Sequence, residues 1–151
     1  MISDWTLTPL KTALACGAAA AALLAVPAQA LPVPGQGPAQ VAGGGQPTVS
    51  SSGPQMTVNI NAARTIIDWS SFNVGASEGV TFNFGQRAWI VLNRTNSAIS
   101  IDGQLRAIHT PTNAVGGNVW FYSPQGVAFG PGARVDVGAM LATSAAPSTA
   151  D

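Results

Sequence analysis

Charge is what this sequence has least of. Only 8% of its 151 residues are Asp, Glu, Lys or Arg, six basic against six acidic, about a third of the usual share. A zero net balance offers no basic surface for a phosphate backbone, which excludes nucleic acid as the expected partner. Cysteine is nearly absent as well, with Cys16 standing alone. No disulfide framework is available, so stability has to come from packing and hydrogen bonding. One histidine, His109, and one cysteine are too few for a usual zinc site. No cofactor motif accompanies them: Gly35-Gln36-Gly37 and Gly130-Pro131-Gly132 precede no helical pattern and are not phosphate cradles. Long apolar runs are missing too. The longest, Thr12 to Val26, has 15 residues, against about 20 for a membrane-spanning helix.

That short run lies at the start of the chain. Lys11 precedes it, Pro27 breaks it, and Ala28-Gln29-Ala30 comes next as a small-x-small site. A positive start, an apolar centre and a small-residue exit describe a secretory signal peptide over residues 1–30, with Ala28 and Ala30 at the cleavage site. Cleavage after Ala30 leaves a mature chain beginning at Leu31. Cys16 is not placed as a lipoprotein cysteine, because Ala13 stands where that motif has Leu.

Residues 31–55 are rich in Pro, Gly, Gln and Ser, including Gly43-Gly44-Gly45. A segment with so little apolar surface reads as a linker or loosely held arm. A small-residue tail at 143–151 has no periodic pattern. The foldable core is therefore 56–142. Within it, Met56 to Asn61 and Val80 to Phe84 alternate apolar with polar. Short β-branched and aromatic runs recur between Gly, Pro and Asn punctuation, at Asp102-Gly103, Gly116-Gly117 and Gly130-Pro131-Gly132. Such runs are strand signals, and no apolar stripe holds a helical period. The core is all-β. A sandwich or barrel stays open from alternation alone. Scarce charge, frequent Asn and few tight hairpin signals lean toward a parallel solenoid, whose coils turn at corners and tolerate stacked Asn.

Three blocks are more specific. Thr65 to Phe84 (TIIDWSSFNVGASEGVTFNF), Ile90 to Leu105 (IVLNRTNSAISIDGQL) and Gly116 to Ser144 (GGNVWFYSPQGVAFGPGARVDVGAMLATS) resemble, in order and spacing, the N-terminal secretion domain of filamentous-haemagglutinin-type exoproteins. The resemblance implies a right-handed parallel β-helix, truncated here. It also implies export through the periplasm and across the outer membrane of a double-membraned bacterium to the cell surface. The implied partner is an outer-membrane two-partner-secretion transporter, acting through its periplasmic domains. A host or neighbouring-cell surface is a further partner, reached by a C-terminal region beyond this chain. The matching motifs place Asn93, Arg94, Thr95, Ser123, Pro124, Gln125 and Gly126 as recognition or structural residues. Ser123 and Gln125 stand where the family carries Asn, so the hydrogen bonds of those side chains are lost or supplied differently. Asn93→Ala and Pro124→Ala are expected to reduce export more than stability.

The alternative function is a small β-helical polysaccharide lyase or hydrolase. It needs acids and bases clustered on one coil face, whereas Asp68, Glu78, Asp102 and Asp136 each sit beside a turn signal. His109 lacks a nearby nucleophile motif and reads as a loop or strand-end residue. Arg94 and Arg134 read as partners of nearby carboxylates or as loop caps. Most aromatics read as core, with Trp89 as the exposed exception. The expectation is a non-enzymatic secretion domain.

Overall fold

A computed structural model describes residues 31–146. The expected signal peptide, with Cys16, Ala28 and Ala30, lies outside the described residues, as does the tail beyond 146. Every described element is a strand, and none is a helix. The period-2 runs close into coils. The first coil is β4 (Gln55–Ile60), β5 (Ala62–Ser71) and β6 (Asn73–Val74). The second is β7 (Gly79–Phe84), β8 (Ile90–Arg94) and β9 (Ile99–Ile101). The third is β10 (Gln104–His109), β12 (Asn118–Tyr122) and β13 (Val127–Phe129), with the short β11 (Ala114–Val115) inserted as a hairpin on β10. A fourth begins with β14 (Arg134–Asp136) and β15 (Ala139–Thr143).

Equivalent strands of successive coils pair in parallel. Gln55 pairs with Gly79, which pairs with Gln104 and then Arg134 in one sheet. Arg64, Ile90, Asn118 and Ala139 align in another. Ile99 aligns with Val127 in the narrow third sheet. The chain is thus a parallel β-solenoid of about three turns.

Because register is kept from coil to coil, inward side chains stack in columns. Met56, Val80 and Leu105 form one; Val58, Phe82 and Ala107 a second; Thr65, Val91 and Val119 a third. Nearly all are fully buried in one apolar cluster. Each large member is worth about 1.5–3 kcal/mol of burial. Phe72 joins the columns at a corner, with edge-on contacts to Trp69 at 5.2 Å and Phe121 at 5.1 Å between ring centres. The side-chain Asn pairing expected of a solenoid is present. Asn83 Nδ2 donates to Asn59 Oδ1 at 2.9 Å, and Asn59 Nδ2 donates to Thr48 Oγ1 at 2.9 Å.

The N-terminal segment departs from the reading of a loose arm. It forms β1 (Val33–Pro34), β2 (Gln40–Gly44) and β3 (Thr48–Ser52). β1 and β2 lie antiparallel along β5, and β3 pairs antiparallel with β4. The free edge of the first coil supplies the backbone partners that composition could not reveal. These strands need almost no apolar burial, because the ladder satisfies their N–H and C=O groups. Gly44, at φ 155°, lies so close to Ala62 that a Cβ there would collide with it.

Candidate functional site

The residues singled out by sequence gather at the end of β8 and the turn after β12, where the first sheet (β5, β8, β12, β15) bends toward the third (β6, β9, β13). Alternation along β8 turns Asn93 inward and Arg94 outward. Asn93 stands in a column between Ile67 and Phe121 with no exposed surface. Its Oδ1 accepts from Trp69 Nε1 at 2.9 Å, and its Nδ2 donates to the Trp120 carbonyl at 3.2 Å. The amide therefore ties three coils together and, with no exposed surface, lies out of reach of a partner on the folded solenoid. Both hydrogen bonds stay within the solenoid, as a structural rather than a recognition residue would make them. Sequence could not separate the two roles, because a strand-end Asn looks the same in either.

A ladder of hydroxyls continues the corner. Thr95 Oγ1 donates to the Ser70 carbonyl at 3.3 Å and accepts from the Ser97 N–H. Ser123 Oγ donates to the Ser97 carbonyl at 2.7 Å and accepts from the Gln125 N–H at 3.0 Å. The Ser123 N–H donates to the Thr143 carbonyl at 3.2 Å, and Ser123 is fully buried. The serine hydroxyl thus supplies the turn-closing hydrogen bond within Ser123-Pro124-Gln125-Gly126. Gly126 completes that turn at φ 100°, a conformation a side chain disfavours. Pro124 and Gln125 are exposed.

Arg94 lies above Asp68 of the preceding coil. Its Nε and terminal nitrogen meet the two carboxylate oxygens at 2.7 and 2.9 Å. The hydrogen bonds it donates to Asp68 raise the guanidinium pKa above its usual value. Both side chains are substantially exposed, so the pair contributes about 1 kcal/mol at most. Asp68, Trp69, Arg94, Thr95, Asn96 and Tyr122 line a shallow cavity of about 360 Å³. The sequence expectation that Arg94 meets a carboxylate holds. For Arg134, exposed on β14, no ion pair forms among the described residues.

The other polar candidates hold turns. Glu78 Oε1 accepts from the Gly75 N–H at 2.8 Å, and Asp102 Oδ1 from the Gly132 N–H at 2.8 Å. His109 Nδ1 lies 2.8 Å from Thr112 Oγ1 at the hairpin after β10. The acids are spread over faces and corners rather than gathered on one, an arrangement that does not favour polysaccharide cleavage. Among the aromatics, Trp89 packs against the core cluster and over Gly85 rather than standing free. Trp120 and Tyr122, expected in the core, point outward and are half-buried.

Fold and corner together define a class: a parallel β-solenoid capped at its N-terminal end and stitched between coils by buried polar side chains. The model of the TPS secretion domain family matches residues 34–151, and the chain belongs to that family, whose exoproteins are secreted across the outer membrane. Among curated relatives, two heme/hemopexin-binding proteins of Haemophilus influenzae are similar to it. One is 32% identical over 102 residues, 66% of this chain and 10% of that protein. The other is 30% identical over 92 residues, 60% of this chain and 9% of that protein. The chain thus spans about a tenth of their length. The crystal structure of the HMW1 secretion domain from Haemophilus influenzae has the same fold, with a TM-score of 0.59 at 24% identity. That match covers 75% of this chain and 29% of the other.

Proposed function

We propose that this chain addresses a haemagglutinin- or adhesin-like exoprotein to an outer-membrane two-partner-secretion transporter and nucleates its folding outside the cell. On this reading it is not an enzyme. The transporter's periplasmic portion reads the unfolding-prone or exposed parts of the domain, and surface binding belongs to the rest of the exoprotein. Asn93, Thr95 and Ser123 act by setting coil register, while Arg94, Pro124, Gln125 and Gly126 are the motif residues a partner reaches.

One observation carries the nucleation role. The N-terminal end of the solenoid is covered by β1, β2 and β3, but β13, β14 and β15 each pair on one side only among the described residues. The columns end there on Phe129, Val135 and Met140, each 39% exposed. Unpaired strand edges above apolar stack ends are a template on which a further coil gains hydrogen bonds and burial at once. The polarity fits vectorial growth, away from a closed start. The test is to join residues 1–151 to a β-helical passenger lacking an address of its own and to co-express it with the cognate transporter. Passenger in the medium, folded and dependent on the graft, is expected. Passenger retained in the periplasm despite the graft contradicts the reading.

A further inference from the structure

The outward faces of the three sheets are unlike one another. On the second sheet (β4, β7, β10, β14) the outward columns read Gln55, Gly79, Gln104, Arg134 and Thr57, Thr81, Arg106, Asp136. On the third, Asn73 aligns with Ser100 and then Ala128. Those faces are polar or small but for Ile108, which is buried in the outward column of Asn59 and Asn83. The first sheet instead carries Ile66, Leu92, Trp120 and Leu141 in one outward column, each directly above the last. The first three are half-buried and Leu141 is 42% exposed, and none belongs to the core cluster. The stripe runs along the solenoid axis for roughly 14 Å, at about 4.8 Å per coil.

Its two flanks differ in charge. One flank is the column Asp68, Arg94, Tyr122, in which the carboxylate and guanidinium neutralise each other. The other is Arg64, Ile90, Asn118, in which Arg64 is exposed and meets no carboxylate among the described residues. Beside Arg64 lies an open groove of about 440 Å³, lined with Ala42, Ala63, Ala88, Trp89 and Ile90. The apolar stripe is thus bordered by one uncompensated cation and one neutral pair.

We propose that this stripe docks an amphipathic helix with an acidic flank, and, resting on the secretion reading, that the helix is carried by the periplasmic portion of the transporter. The stripe is one side chain wide, a shape that a single narrow element such as one helix can follow. Spacing selects a helix. Apolar positions at i, i+4, i+7 and i+11 rise about 5.4 Å per turn, close to the coil spacing, whereas same-face residues of a strand lie about 6.8 Å apart and fall out of step within two coils. Glu or Asp on the flank facing Arg64 meets the one unpaired charge.

Two measurements test it. Purified full chain is titrated with a synthetic 18-residue helical peptide carrying a Leu stripe and Glu flanks, and with the same peptide carrying Lys flanks. The acidic peptide is expected to bind at least tenfold more tightly. Leu92→Gln is expected to weaken it at least tenfold, and Arg64→Glu to reverse the preference, with melting temperatures unchanged. Equal binding of both peptides, unaltered binding by the variants, or dimerisation through this face in sedimentation would overturn the proposal. In cells with the transporter, Leu92→Gln and Arg64→Glu are expected to cut the exported fraction at least fivefold, while Thr81→Gln on the second sheet leaves it unchanged. Export of all three at the wild-type level overturns the assignment to the transporter. Failure of the wild-type chain itself to be exported would instead remove the secretion reading and leave the peptide result to judge the groove.

Discussion

Buried polar side chains decide the register of this solenoid residue by residue, and their partners are countable. Asn93 satisfies one indole and one carbonyl from neighbouring coils. Asn93→Ala strands both in an apolar interior, at a cost of about 1–3 kcal/mol per unpaired group. We expect thermal melting to show a loss in that range, with export falling in step. Thr65 is the contrary case: buried between Val91 and its own strand neighbours, its hydroxyl finds no partner among the described residues. Thr65→Val removes an unpaired polar atom at constant shape and is expected to raise stability by about 1 kcal/mol. No change, or a loss, in denaturant unfolding would show that the hydroxyl is satisfied in solution. Arg94→Ala removes an exposed pair and is expected to shift stability by less than about 1 kcal/mol, so any larger loss of export must come from recognition. The sequence made the motif residues visible but not their direction. A single strand position separates Asn93, sealed inside, from Arg94, open to solvent, and only the coil register settles which is which.

At the scale of elements, strands were legible wherever alternation met a buried face, as in Met56-Thr57-Val58-Asn59-Ile60, whose odd and even positions part cleanly into core and surface. What alternation could not announce is a strand with no buried face. Thr48–Ser52 is exposed throughout and is held by its ladder to β4 and the Asn59–Thr48 side-chain bond, so its composition resembles that of a linker. The outward stripe on the first sheet was equally hidden, because Ile66, Leu92, Trp120 and Leu141 are 21 to 28 residues apart in the chain and meet only through coil register. Corners are set by glycine where backbones nearly touch. Gly117 has φ 99°, and a Cβ there would drive into the Phe84 ring. Gly117→Ala therefore combines backbone strain with a core clash and is expected to cost more than about 2 kcal/mol, measured by thermal unfolding of the purified chain. A variant as stable as wild type would mean that the β11–β12 corner has another shape.

For the whole molecule, the decisive property is asymmetry between its ends. Among the described residues, β1, β2 and β3 cap one end, while β13, β14 and β15 each pair on one side only. Native-state hydrogen exchange should track this gradient, slowest in β7 and β8, paired on both sides, and fastest in β14 and β15. On the proposed reading, the apolar edge at β13, β14 and β15 is where further coils of the exoprotein would add. Export through a dedicated transporter is the claim on which the rest depends. Its most direct test is the secreted fraction of the intact chain in cells with and without the cognate outer-membrane transporter. The account predicts folded, β-rich protein in the medium only when the transporter is present. An equal secreted fraction in both cultures, or periplasmic retention in both, would contradict it.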